Sequence, residues 1–118
     1  MYRLPKNFDG NRLVGHCLEQ ICFNENQVCL HFDGMLSIVV ESKLSYRDTP
    51  KSIDQVIEIP VRHSDLMLLL GQSILNCYGD DDGTLSMEFG NGSTLKCLDT
   101  SNQYESYRII NGNEDIIV

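Results

Sequence analysis

The chain has no tryptophan and only three prolines, and nine of its 118 residues are Lys or Arg. So few cations exclude the clustered phosphate contacts by which proteins hold nucleic acid. They also leave little to attract an anionic membrane surface. Apolar runs are short: none approaches the roughly 18 residues of a membrane-crossing helix. The opening MYRLPKNFDGNR is too polar for a secretory signal. The five cysteines, Cys17, Cys22, Cys29, Cys77 and Cys97, include no C-x-x-C pair. An odd count without a signal points to free thiols in a reducing, cytoplasmic setting, where cysteine packs as a small buried hydrophobe.

Catalytic signatures are missing as well. None of His16, His31 and His63 sits in a metal-binding spacing, no G-x-S-x-G elbow presents a nucleophile, and there is no phosphate-binding loop. Gly79-Asp80-Asp81-Asp82-Gly83 is the densest acidic run. Placing Gly83 at the sixth position of a calcium loop puts Tyr78 first and Phe89 last, so the oxygen ligands fail at both ends. The chain is expected to be no enzyme and to need no cofactor or metal. His16 and His31 are expected at the surface.

Acid is abundant. Seventeen Asp and Glu against nine Lys and Arg give a net charge of −8. Residues 1–59 carry six basic and eight acidic side chains, and residues 60–118 carry three and nine, so the second half holds −6 of the total. With 42% hydrophobic residues the chain can still bury one core, and 1–118 reads as a single domain.

Internal similarity organises the chain. Leu13-Val14-Gly15-His16-Cys17-Leu18 matches Leu69-Leu70-Gly71-Gln72-Ser73-Ile74. Val28-Cys29-Leu30-His31-Phe32 matches Leu85-Ser86-Met87-Glu88-Phe89, and Leu36-Ser37-Ile38 matches Leu95-Lys96-Cys97. The expected unit is a short helical turn, Gly and three strands, present at about 11–42 and 67–100, with a hairpin added at 104–118. Period-two alternation marks the strands. Asp33-Gly34 fits a type I′ turn, Ile38-Val39-Val40 reads as a run buried on both faces, and Asn111-Gly112 marks the last hairpin. Gln55–Ile59 is expected as a strand. Ser64-Asp65 and Asn11 are expected to cap short helical turns before Gly71 and Gly15. The expected class is mainly β with one or two short helices and eight or nine strands. The repeated unit would form a curved antiparallel sheet, a sandwich or a partly open barrel.

Three candidate sites follow. The acids Asp80, Asp81, Asp82, Glu88 and Glu105, with Tyr104 and Arg108 from the Tyr104-Glu105-Ser106-Tyr107-Arg108 stretch, are candidates for contacting a basic protein. His31, Glu88 and Cys29 are the polar groups to expect in a pocket inside the sheet, if the domain instead takes a small ligand or is an enzyme. The C-terminal hairpin offers a third possibility, edge-to-edge pairing into a homodimer.

In size, acidity and absence of a signal the chain resembles the small immunity proteins of bacterial toxin–immunity pairs, including those of contact-dependent inhibition systems. With its L-x-G turn and Tyr-Glu-Ser-Tyr stretch it also looks like small bacterial domains of unknown function. The immunity resemblance implies a cytoplasmic, non-catalytic protein that binds a basic nuclease-type toxin over its active site.

Overall fold

Alternating apolar and polar side chains, with β-branched and aromatic residues on the apolar positions, favour strands almost throughout. A computed structural model describes residues 3–100 and 105–118. Among them lie β1 (Leu18–Phe23), β2 (Val28–Phe32), β3 (Leu36–Val40), β4 (Lys43–Arg47) and β5 (Gln55–Glu58). The second half supplies β6 (Ile74–Gly79), β7 (Leu85–Phe89), β8 (Thr94–Leu98), β9 (Tyr107–Asn111) and β10 (Glu114–Ile117). They form two five-stranded antiparallel sheets, β1-β2-β3-β9-β10 and β5-β4-β8-β7-β6. The sheets stack as a sandwich and do not close into a barrel, since β5 and β10 end them as edges. Ten strands exceed the expected count because Glu41-Ser42 alone divides β3 from β4, so one apolar stretch conceals two strands.

Both helical turns are single 3-10 turns, at Gly10–Arg12 and Leu66–Leu69, and no α-helix occurs among the described residues. Asp9, not Asn11, caps the first, its carboxylate accepting from the Asn11 amide at 3.0 Å. At the second, Ser64 Oγ accepts from the Leu66 amide at 3.3 Å, while Asp65 makes no capping bond. Among the described residues no helix is long and apolar enough to cross a membrane.

The inward faces of both sheets merge into one core. Leu18, Leu30, Ile38 and Tyr107 come from one side, and Leu44, Ile74, Met87, Leu95 and Cys97 from the other, all fully buried. Val39 is only half-buried, so β3 is covered on one face and not both. Core register also overrides local turn preference. A two-residue Asp33-Gly34 loop would set Leu30 opposite Ser37 and turn the apolar residues of β3 outward. Instead Leu30 faces Ile38, the loop has three residues, and positive φ falls on Gly34 and Met35. Likewise Asn111 pairs with Glu114, so the last turn is Gly112-Asn113 and Ile109 faces Ile116.

The two sheets are built alike, and each third strand receives the hairpin of the other half. β9–β10 pairs with β3, and β4–β5 pairs with β8. The C-terminal hairpin therefore has a counterpart in β4–β5, which the three-strand unit omits. Pairing of Leu30 with Ile38 and of Met87 with Leu95 makes Ile38, not Leu36, the counterpart of Leu95. A slip of two residues keeps every side chain on its face, so alternation does not distinguish these registers.

The sheets are sewn together where β1 and β6 begin. Cys17 bridges Ser73. Around it the Gly15 amide donates to Ile74 O at 2.8 Å and the Gly71 amide to Leu18 O at 2.8 Å. The Leu18 amide reaches Gln72 O and the Ile74 amide His16 O, both at 3.0 Å. Each bond has its mate under exchange of the halves. Gly15 and Gly71 enter the seam at φ +93° and +83°, where a side chain is strained, though space for a methyl group is open. Gly71→Ala is expected to cost about 1–2 kcal/mol, the penalty of left-handed backbone for an L-residue. Urea unfolding would read it, and an unchanged midpoint would deny that the seam needs this conformation.

Candidate functional site

One end of the sandwich collects carboxylates from three separate connections. The β6–β7 loop supplies Asp80, Asp81 and Asp82. Hydrogen bonds from the Asp80 amide to Thr84 O, 2.9 Å, and from the Gly83 amide to Asp80 O, 3.0 Å, fold it tightly. The Thr84 amide donates to Asp82 Oδ1 at 3.0 Å. Bonds from the Thr84 backbone, then its side chain, hold the Asp82 carboxyl below its ordinary value, so it stays ionised.

Gly83 ties this loop to the β8–β9 connection. Tyr107, buried at the start of β9, donates its phenol hydrogen to Gly83 O at 2.6 Å. A methyl group on Gly83 would collide with the Asp99 carboxylate. Asp99 in turn accepts from Ser106 Oγ at 2.9 Å. Ser106 O then receives the amides of Glu41 at 2.9 Å and Ser42 at 3.1 Å from the β3–β4 link. Asp80, Asp81, Asp82, Asp99, Glu105 and Glu41 therefore share one end of the molecule. Glu105 and Glu41 both act electrostatically on Arg108.

Proximity in space, not lack of pairing, sets this end apart, for Asp9, Glu19, Glu25, Asp48, Asp65 and Glu88 are also outside the described ion pairs. The described ion pairs are Arg12–Glu114, Lys43–Glu58, Arg47–Asp54, Lys96–Asp54 and Arg108–Asp115, and Asp33 takes a hydrogen-bond contact from His16. None includes any of the six carboxylates at the acidic end. The corresponding loop of the first half, Asn24 to Gln27, carries Glu25 alone. Lys6 is a nearby cation, beside Asp80 and Asp81 in a groove of about 490 Å³.

The structure divides the expected contact residues. Asp80, Asp81, Asp82 and Glu105 come together. Glu88 does not: it lies near the seam end of β7, on the outer face, and accepts from Asn76 Nδ2 at 3.0 Å. Arg108 is engaged by Asp115 on the outer face of the other sheet. Tyr104 lies outside the described residues. Asp99 and Glu41 were missed. Each lies within two residues of the end of a third strand, a position that matters only once the two halves are brought together.

The proposed pocket polar set is overturned. Cys29 and His31 lie on the outer face of the first sheet and Glu88 on the outer face of the second, with the filled core between. His31 Nδ1 instead pairs with Ser37 Oγ at 2.9 Å. His16 is half-buried, its Nδ1 2.8 Å from Asp33 O, so it is a seam residue. Of the cysteines, Cys77 and Cys97 are buried as expected of small hydrophobes, and Cys17, Cys22 and Cys29 are half-buried. Among the described residues no cluster of three or more His, Cys, Asp or Glu side chains is arranged to hold a metal. The buried thiols Cys77 and Cys97 serve packing, and the chemistry open to the acidic end is attraction of cationic groups.

A family model matches residues 10–118, from the first 3-10 turn through the last strand. The chain belongs to DUF6188, a family of unknown function. No curated protein and no solved structure matches it. The span of the DUF6188 match takes in both sheets and every residue of the acidic end.

Burial raises the pKa of Tyr107, Cys97 and Cys77, the last to about 12. A raised folded pKa favours the neutral form, so the linked stability is fully present below the ordinary values of 9.0 for the thiols and 10.0 for the phenol. It is lost as the pH climbs past them. Stability is expected to fall from about pH 9 upward. Tyr107→Phe should remove the phenol's share of that fall and, by stranding Gly83 O, cost about 1–3 kcal/mol at neutral pH. Thermal melts of both proteins between pH 7 and 11 would check this, and parallel curves would refute the assignment.

Proposed function

We propose that the protein is a non-catalytic binding module whose acidic end docks on a basic protein, and that it acts as an immunity protein covering the cationic cleft of a nuclease-type toxin. The observation that carries the reading is the acidic end itself. Asp80, Asp81, Asp82, Asp99, Glu41 and Glu105 gather there, and none of them has an ion-pair partner among the described residues. Like charges held within a screening length of about 8 Å raise the local negative potential and oppose folding. Such an arrangement suits a surface that a cationic partner neutralises, and it steers that partner's approach. The acidic loop is particular to the second half, whereas solubility alone would be served by acids spread over both loops.

The reading gives a cytoplasmic protein that needs neither cofactor nor nucleic acid. Its contacts are Asp80–Asp82 and Glu105 first, with Asp99 and Glu41 beside them. A carboxylate array of this kind imitates a phosphate backbone, which is how it would compete for a nuclease cleft.

The test is capture from lysate of the source organism at low and high salt, with the wild-type chain and a triple variant carrying Asp80→Lys, Asp81→Lys and Asp82→Lys. A basic nuclease retained by the wild type at low salt, and inhibited by it, is the expected result. Charge reversal should weaken that complex at least about tenfold, or roughly 1.4 kcal/mol, mainly through slower association. Equal affinity of the triple variant would remove the acidic end from the interface. A captured partner that is acidic, or one without nuclease activity, would overturn the immunity assignment.

A further inference from the structure

The outer face of the first sheet carries two thiols in register. In the β1–β2 pair Cys22 stands directly opposite Cys29, between Ile21–Leu30 and Phe23–Val28. Directly opposed residues of antiparallel strands put their Cα atoms about 4.5–5.5 Å apart on the same face, inside the roughly 4.4–6.8 Å span that a disulfide bridges. Both side chains are half-buried, unlike Cys77 and Cys97, which face the core. No other cysteine has a cysteine across from it: Cys17 faces Ser73, Cys77 faces Met87, and Cys97 faces Leu85 and Leu44.

We propose that Cys22 and Cys29 form a dithiol modification site, which a low-molecular-weight disulfide oxidises to a cross-strand disulfide. The Cys22 thiolate attacks one sulfur of the small disulfide, forming a mixed disulfide and releasing one small thiol. Cys29, once deprotonated, attacks Cys22 Sγ, closing the protein disulfide and releasing the second thiol. Two electrons and two protons pass from the protein dithiol to the small disulfide. Burial, then the charge of Cys22, holds the Cys29 thiol above its ordinary value, against the lowering effect of Gln27 Nε2, which donates to Cys29 Sγ at 3.5 Å. The resolving role therefore falls to Cys29 and the first attack to Cys22. The product links the two arms of the β1–β2 hairpin on the first sheet, and the acidic end takes no part.

The experiment equilibrates the full-length wild-type chain with oxidised glutathione, alkylates the remaining thiols and maps the peptides by mass spectrometry. Three alkylated thiols and a Cys22–Cys29 crosslink without bound glutathione are expected. Cys29→Ser should stop at a stable glutathione adduct on Cys22. Cys22→Ser should gain at least about tenfold less adduct in the same time. Glutathione left on wild-type Cys22 or Cys29 without a crosslink, a crosslink elsewhere, or five alkylated thiols would each overturn the proposal. The wild-type map decides the question even if a variant folds poorly.

Discussion

The reciprocal hydrogen bonding at the seam holds the architecture together. Gly15 and Gly71 bond to Ile74 and Leu18, and Leu18 and Ile74 bond back to Gln72 and His16. This lattice joins the first strands of the two sheets by backbone hydrogen bonds. Left-handed backbone at both glycines turns each amide toward the opposite chain. An irregularity follows in both strands, between Leu18 and Gln20 and between Ile74 and Asn76, so each strand bends away from the seam in the same way. The hairpin exchange completes the arrangement. Neither half finishes its own sheet, since β3 needs β9 and β8 needs β4. The core of each sheet thus depends on chain from the other half, which couples the halves in folding.

This mutual dependence also creates the acidic end. The β8–β9 connection must travel from one sheet to the other, and in doing so it lays Asp99, Glu105 and Ser106 against the β3–β4 link and the β6–β7 loop. Tyr107 anchors the crossing by placing its phenol on Gly83 O in the interior. Carboxylates far apart in sequence become neighbours because the backbone that carries them has to cross there. At the corresponding loop of the first half the chain has Asn24, Asn26 and Gln27 around Glu25, so like folding yields unlike electrostatics. A common scaffold with charge on one loop is how a binding surface is added without disturbing a core.

The outer faces differ just as much. The first sheet shows Cys22, Cys29 and His31 outward, while the second shows Asn76, Glu88 and Lys96. Inward positions stay apolar in both, because the sandwich tolerates no unpaired polar group there. The outward positions are free to diverge, and they hold the thiol pair, the Asn76–Glu88 bond and the His31–Ser37 contact.

By itself the sequence determined what local periodicity can encode. Alternation in Val28–Phe32 and Leu85–Phe89 set strands and their inward faces. The paired glycines marked two like beginnings, and the run at Asp80–Asp82 announced an exposed acidic loop. Tertiary structure decided the quantities that a period of two leaves degenerate or that belong to no single segment. A shift of two residues preserves every face, so the match of Ile38 with Leu95 emerged only from strand pairing. Local turn preference favoured Asp33-Gly34, yet burying Ile38 opposite Leu30 moved positive φ onto Met35, where the core's larger free energy outweighs a strained turn. Glu88 left the acidic set and Asp99 and Glu41 joined it, since crossing between sheets, not nearness in sequence, determines which charges share an end of the molecule.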